Sequence, residues 1–187
     1  FGQILHEHAA DTAWTIEHVL ERSPSAYQAV KHAADRLCAV LLLLLCAPVL
    51  AAIWAAIRLL DGAPSLYGQR RVGYLGREFT LWKFRSMASV PGGARPFTSP
   101  VANRVRTTRL GGWLRRFRLD ELPQLWNVLR GEMSFVGTRP EWTEEVTVLE
   151  RVIPQYHLRH LVRPGITGWA QVNYRATSNP RDSLEKL

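Results

Sequence analysis

From Leu37 to Ile57 the chain runs for 21 residues without a charge, and Leu41 to Leu45 is an unbroken leucine run. A helix of that length reaches about 30 Å, the thickness of a bilayer's hydrocarbon core. Pro48 sits near its centre, where it removes a backbone hydrogen bond and crowds the preceding turn, so a kink is expected. Both flanks are basic, with Lys31 and Arg36 before the segment and Arg58, Arg70 and Arg71 after it. Positive charge favours the cytoplasmic side of a membrane, and here both ends carry it. A helix that enters, bends at Pro48 and returns to the same face satisfies both ends, provided the backbone groups freed at the bend find partners. Three readings stand on these residues: a plain spanning helix, a re-entrant helix, and a buried helix of a soluble core. A signal peptide is excluded, because the segment lies too far along the chain and no small-residue cleavage pattern follows it. Asp35, four residues after Lys31, forms either a surface ion pair of little worth or a polar anchor at the headgroup level.

The 187 residues suffice for one domain with a modest core. A net charge of +8 favours an anionic partner: nucleic acid, anionic lipid or a phosphorylated small molecule. The charge is unevenly placed, since Ser65 to Leu119 holds twelve Arg or Lys and a single acid, Glu78. The seven Trp suit surfaces that are apolar on one side and wet on the other. Cys38 and Cys46 both lie in the apolar segment, which argues against a zinc site or a disulfide framework. Residues 1–28 read as a linker or the end of an upstream region, with a short helix from Asp11 to Leu20. His6, His8 and His18 lack a metal-ligand spacing. A first residue other than Met suggests a piece of a longer protein. Pro180 to Leu187 reads as a helix that stops without a cap.

Asp61-Gly62-Ala63-Pro64 breaks the apolar helix. Ser65 to Val72 and Arg77 to Phe84 then read as a hairpin around Gly73-Tyr74-Leu75-Gly76, whose glycines supply the positive φ of a tight turn. Alternation places Lys83 and Arg85 on one face, and Trp82 and Phe84 on the other. Pro91 to Pro100 reads as a loop. In Thr107 to Arg118, Leu110, Trp113, Leu114 and Phe117 recur at helical spacing among arginines. That stripe fits either a core-packed helix or one lying in a membrane interface.

Two adjacent acids follow this basic stretch in Leu119-Asp120-Glu121-Leu122-Pro123-Gln124-Leu125-Trp126-Asn127. Asp120 reads as a helix N-cap, Pro123 as a first-turn residue, Leu122, Leu125, Trp126 and Leu129 as one face, and Gly131 as the terminator. The helix dipole and the neighbouring arginines predict that both acids are ionised at neutral pH. An ordinary capping role explains the pair as well as chemistry on a phosphate does. Met133 to Trp142 reads as a strand and a turn, Trp142 to Val152 as a helix, and Arg163 to Trp169 as a rigid turn. Arg139 and Arg163 each precede a proline, which fixes an extended backbone beside a guanidinium and suits a diphosphate clamp.

The motifs Gln69-Arg70-Arg71-Val72-Gly73, Lys83-Phe84-Arg85-Ser86-Met87, Leu119 to Leu129, Gly131 to Pro140 and Arg163 to Gly168, in this order, resemble the bacterial sugar transferases, the monotopic polyprenyl-phosphate phosphoglycosyl transferases. The resemblance runs from about Lys31 to Leu187. It implies an α+β, mainly helical fold: a monotopic membrane domain over residues 29–187. That domain would have a Pro-kinked re-entrant helix over about residues 35–60 with its bend at Pro48, interfacial amphipathic helices and a small hairpin. The implied reaction moves a sugar 1-phosphate from a UDP-sugar to polyprenyl (undecaprenyl) phosphate, as the first membrane step of exopolysaccharide or glycoconjugate synthesis. It would run by a ping-pong route with Asp120 as nucleophile. Glu121, with Asp120, would hold Mg²⁺, and Lys83, Arg85, Arg139 and Arg163 would bind substrate phosphates. The expected location is the bacterial inner membrane with the site on its cytoplasmic face, among membrane lipids and without nucleic acid. Homo-oligomerisation stays open. The family usually continues beyond this C-terminus with an aromatic-rich helical segment, so truncation there is expected. Three rivals remain: a membrane-tethered nucleic-acid-binding module and a non-catalytic polybasic scaffold, which both leave the acid pair without a role, and a metal phosphatase or phosphodiesterase that passes the group to water.

Overall fold

The computed structural model describes residues 26–88, 106–153 and 155–173. The expected helices at Asp11 to Leu20 and Pro180 to Leu187, and the loop at Pro91 to Pro100, lie outside them. The first element, α1 (Ala26–Leu60), is 35 residues of unbroken helix that carry Pro48 within them. It ends where Gly62 takes a φ of 79°, and Arg85 donates from Nη1 to the Ala63 carbonyl (3.0 Å) and from Nη2 to the Asp61 and Gly62 carbonyls. A cation on the last carbonyls of a helix complements its dipole. Arg85 therefore closes the end of α1, and its side chain is not directed with Lys83 to a common partner.

The hairpin forms as expected: β1 (Leu66–Val72) and β2 (Glu78–Phe84) pair antiparallel, with Leu66 opposite Phe84 and Val72 opposite Glu78. Its turn uses positive φ at Leu75 (53°) and Gly76 (73°), whereas Gly73 stays extended at −116°. The short helix α2 (Arg109–Arg116) is capped by Thr108, whose hydroxyl accepts from the Gly111 N–H at 2.9 Å. After a 3-10 turn (Leu119–Glu121) comes α3 (Gln124–Arg130), stopped by Gly131 at φ 77° as predicted. Next come β3 (Ser134–Val136), α4 (Thr143–Val152), a 3-10 segment (Tyr156–Leu161), β4 (Gly165–Thr167), which pairs parallel to β3, and α5 (Trp169–Asn173).

Three small cores hold these pieces together. Ala39 of α1 packs with Leu81, Val128 and Met133. Ile53 and Ile57 of the same helix pack with Phe84 and Leu114. Val72, Val146, Leu149, Ile153 and Tyr156 form the third. The two halves of α1 thus bear on one folded body, and its start is bound there as well. Lys31 and Ser134 both hydrogen-bond to Asp35 Oδ2 at 2.8 Å, and Lys31 also contacts Ser134 Oγ. Asp35 thus makes the expected i, i+4 pair with Lys31, and because it is largely buried it also ties α1 to β3 through Ser134. The rest of α1 faces outward and is apolar: Leu41, Leu44 and Leu45 are 58%, 69% and 73% exposed. The helix is long and apolar enough to cross a membrane. Of the α2 stripe, Leu114 is buried in the core, while Trp113 and Phe117 stay exposed with ring centroids 4.5 Å apart.

Candidate functional site

Helix α3 is seated by one side chain. Asn127 is fully buried, and its Oδ1 accepts from the Trp82 N–H (3.1 Å) while its Nδ2 donates to the Thr80 carbonyl (2.7 Å) and to Glu132 Oε2 (2.6 Å). The carboxamide completes the free edge of β2 as a neighbouring strand would. This corrects the expected face of α3. The buried side is Gln124, Leu125, Asn127 and Val128, and Trp126 is half exposed. Hydrophobic period alone missed it because the contact surface is a backbone edge, which demands polar partners.

With α3 seated on β2, the acid pair faces Lys83. Arg118 adopts a left-handed φ of 59°, turning the chain so that Asp120 and Glu121 fall in the 3-10 turn. The N-cap position of α3 belongs to Pro123, not Asp120. Lys83 Nζ donates to Glu121 Oε1 at 2.8 Å, and both side chains are largely buried. Burial works to raise the pKa of Glu121, but the charge and hydrogen bond of Lys83 outweigh it and hold Glu121 below the usual range. Burial pulls Lys83 below its ordinary value, with Glu121 opposing. Asp120 behaves otherwise. Its residue is 8% exposed, its Oδ1 has no hydrogen-bond partner, and burial raises its pKa against the pull of Lys83. The expectation that dipole and arginines lower both carboxylates thus holds for Glu121 alone. The short 3-10 turn gives Asp120 little helix dipole, and desolvation dominates.

In front of the pair lies a shallow cleft of about 240 Å³, lined by Arg71, Leu81, Lys83, Glu121, Gln124 and Arg139, and across from them Pro140, Gly165, Ile166 and Gln171. Asp120, the residue before Glu121, does not itself line the cleft. Of the four expected phosphate-binding residues, Lys83 and Arg139 meet there. Arg85 is engaged at the end of α1, and Arg163 lies toward the start of that helix, where burial and the charge of Arg36 lower its pKa.

Two residues that sequence reasoning left without a role hold Arg139 in place. Arg71, 5% exposed, donates from Nη1 to the Pro140 carbonyl (3.0 Å), and its guanidinium stacks over Trp142 at 4.7 Å. Arg159 donates from Nη2 to the Arg139 carbonyl (2.9 Å). Glu141 sits between them, 4.0 Å from Arg71 and 3.3 Å from Arg159. Two consecutive carbonyls are thereby fixed by two guanidiniums. The Arg139 side chain itself has no ion-pair partner among the described residues and remains free for an anion. The signal in the sequence was the Gln69-Arg70-Arg71 motif, but nothing in its spacing shows which arginine turns inward.

The residues 26–186 match the bacterial sugar transferase family. This chain belongs to that family. It is 43% identical over 158 residues to a UDP-glucose:undecaprenyl-phosphate glucose-1-phosphate transferase of Escherichia coli K12, covering 84% of this chain and 34% of that relative. It is 41% identical over 163 residues to a UDP-N-acetylgalactosamine-undecaprenyl-phosphate N-acetylgalactosaminephosphotransferase of Aeromonas hydrophila, covering 86% and 38%. An uncharacterized sugar transferase of Bacillus subtilis is 39% identical over 150 residues, covering 78% and 69%. The chain thus spans about a third of the length of the first two. Within this bacterial sugar transferase, the described residues hold no group of three or more His, Cys, Asp or Glu that could cage a metal. Two adjacent carboxylates, one with an unpaired oxygen, do suit Mg²⁺, which typically takes one or two carboxylates and completes its shell with waters and substrate phosphates.

The Arg71–Glu141–Arg159 network makes one consequence measurable. Glu141→Gln leaves two buried guanidiniums without their shared counter-charge and is expected to lower stability by about 3 kcal/mol. Chemical denaturation in detergent micelles checks this; a loss under about 1 kcal/mol would mean the network is not what holds the loop.

Proposed function

We propose that this chain is the catalytic part of a phosphoglycosyl transferase that moves a sugar 1-phosphate from a UDP-sugar to polyprenyl phosphate. The observation that carries the reading is Asp120: a buried carboxylate with an unpaired oxygen, next to an ionised Glu121–Lys83 pair and a cleft lined by cations. A carboxylate stripped of water and raised in basicity is a better nucleophile than a solvated one. The relatives' names supply the substrates, a UDP-sugar and undecaprenyl phosphate.

The reaction then runs in two displacements. The Asp120 carboxylate attacks the sugar-proximal phosphorus of the donor. The bond from that phosphorus to the bridging oxygen breaks, and UMP departs with the electron pair. An oxygen of polyprenyl phosphate next attacks the phosphorus of the phosphoglycosyl-aspartate, the Asp120–phosphorus bond breaks, and the free carboxylate returns. Lys83 and Arg139 offset the charge that gathers on the phosphoryl oxygens. Mg²⁺, held by Glu121 and Asp120 together with donor phosphates, would neutralise diphosphate charge. A polybasic scaffold, or a module binding nucleic acid, gives no reason to bury two acids beneath such a cleft.

The membrane arrangement follows from α1. Ala39 and Ile57 lie about 27 Å apart along a straight helix, yet both pack on the same body. A plain spanning helix would carry one of them away from a body on one side of the bilayer, whereas a helix that enters and leaves by the same face keeps both within its reach. We therefore assign α1 as re-entrant, bending at Pro48, with the site at the cytoplasmic face of the bacterial inner membrane. There the lipid phosphate and the soluble nucleotide meet.

Asp120→Asn is expected to cut UMP release from UDP-sugar, in the presence of Mg²⁺ and polyprenyl phosphate, by at least about 10³-fold. Near-normal turnover would rule out Asp120 as nucleophile, and mass spectrometry of the wild type quenched without acceptor should find a sugar-phosphate adduct on Asp120. The rate needs Asp120 deprotonated, and Lys83 is what restrains its raised pKa. Lys83→Met should therefore move the acid limb of the pH–rate profile to higher pH; a limb that stays put or falls contradicts that electrostatic assignment.

Topology is tested with single cysteines at Val30 and Leu60, both well exposed near the ends of α1, in a background lacking Cys38 and Cys46. Both should react with a membrane-impermeant maleimide in inverted vesicles and neither in spheroplasts. One labelled from each side would mean a spanning helix.

A further inference from the structure

Gln124 is the first residue of α3, is 3% exposed, and lines the cleft three residues after Glu121 and four after Asp120. Its carboxamide has no hydrogen-bond partner among the described residues. Three residues later on the same helix, Asn127 carries the same functional group and satisfies it with three hydrogen bonds. The carboxamide atoms of Gln124 are not sealed from solvent, so they open onto the cleft, where a ligand atom can take the place of water.

The chemistry of the cleft narrows what that atom belongs to. Lys83, Arg71 and Arg139 offer donors only, and the ionised Glu121 offers acceptors only. A carboxamide offers one of each. Gln171, the other amide of the cleft, already turns its Nε2 toward the Gly165 carbonyl at 3.4 Å. Gln124 is therefore the group matched to a ligand that both donates and accepts. In a nucleotide sugar that chemistry occurs in the sugar's hydroxyl or acetamido substituents and in the imide edge of uracil. Position favours the sugar. Gln124 stands one helical turn from the acid pair, and the sugar is bonded to the very phosphate that Asp120 would attack, whereas uracil is separated from it by a second phosphate and the ribose.

We propose that the Gln124 carboxamide binds a donor–acceptor substituent of the transferred sugar. This inference rests on the phosphoglycosyl transferase reading. Polar sites of this kind discriminate strongly, because a wrong ligand leaves the site's own group unpaired.

The experiment compares wild type with Gln124→Met, which keeps the side-chain volume and removes both hydrogen-bonding functions, and with Gln124→Glu, which keeps only acceptors. Each is assayed for UMP release from UDP-glucose, UDP-galactose and UDP-N-acetylgalactosamine, and for inhibition by UMP. Wild-type turnover that depends on Asp120 secures the underlying reading on its own, so a failure there is separate from a failure here. The expected result is a loss of about tenfold or more in kcat/KM for the preferred donor in both variants. The spread among the three donors should narrow, and the UMP inhibition constant should stay within about twofold. Weakening of UMP binding to the same extent would place Gln124 on the nucleotide and overturn the proposal. Unchanged kcat/KM in both variants would overturn it as well. An unfolded Met variant is recognised by its melting curve, and the Glu variant then carries the same comparison.

Discussion

The site depends on a carboxamide that does not line the cleft. Asn127 fills the open edge of β2, and through that contact the sequence distance of about 40 residues between Lys83 and Glu121 closes to 2.8 Å. An apolar contact could press α3 against the hairpin but could not set its register, because apolar surfaces slide. Three hydrogen bonds from one buried side chain fix rotation and height together, and losing them would leave the Trp82 N–H and the Thr80 carbonyl unpaired in the interior. The acids are thus placed by the strand's backbone geometry, and the apolar residues of α3 supply only the force that holds it there.

Once placed, the two acids separate in character although they are neighbours. Glu121 meets a buried cation and is locked in the charged state. Asp120, one residue earlier, meets no donor at Oδ1, and burial raises its basicity. Pushing apart the affinities of two carboxylates is how proteins assign them different work. Lys83 serves both ends of this division, since its charge secures Glu121 and limits how far Asp120 rises. Its own lowered pKa is the cost of sitting between them with little water.

Much of this was legible in the residues and some was not. The apolar helix, its stop at Asp61-Gly62, the hairpin and the Gly131 terminator follow from period and turn chemistry, whereas the pairing of Lys83 with Glu121 does not. What failed was whatever depended on a partner distant in sequence. Asp120 as an N-cap was a local inference, and the left-handed Arg118 moved the helix start to Gln124. Arg85 resembled Lys83 in the strand pattern, yet strand β2 ends between them and Arg85 reaches the carbonyls of α1. Arg163 carried the same Arg-Pro signature as Arg139, but β4 directs it toward Arg36. Arg71 and Arg159 are ordinary basic residues until the fold brings Glu141 between them. Surface and buried arginines share one alphabet, and only burial tells them apart.

The long helix and the site are parts of a single constraint. Helix α1 packs on β2 and α3 through Ala39, and on β2 and α2 through Ile53 and Ile57. The strand that carries Lys83 is therefore gripped by both halves of the apolar helix. Any change in the course of α1 must move the two ends of that strand relative to each other, and with them the Lys83–Glu121 contact. A helix bound at one end only could tilt in the bilayer without consequence for the cleft. This one is held at both ends, so its position and the geometry of the acids are set together. That coupling would suit the proposed transfer, whose acceptor is confined to the membrane surface while its donor arrives from water.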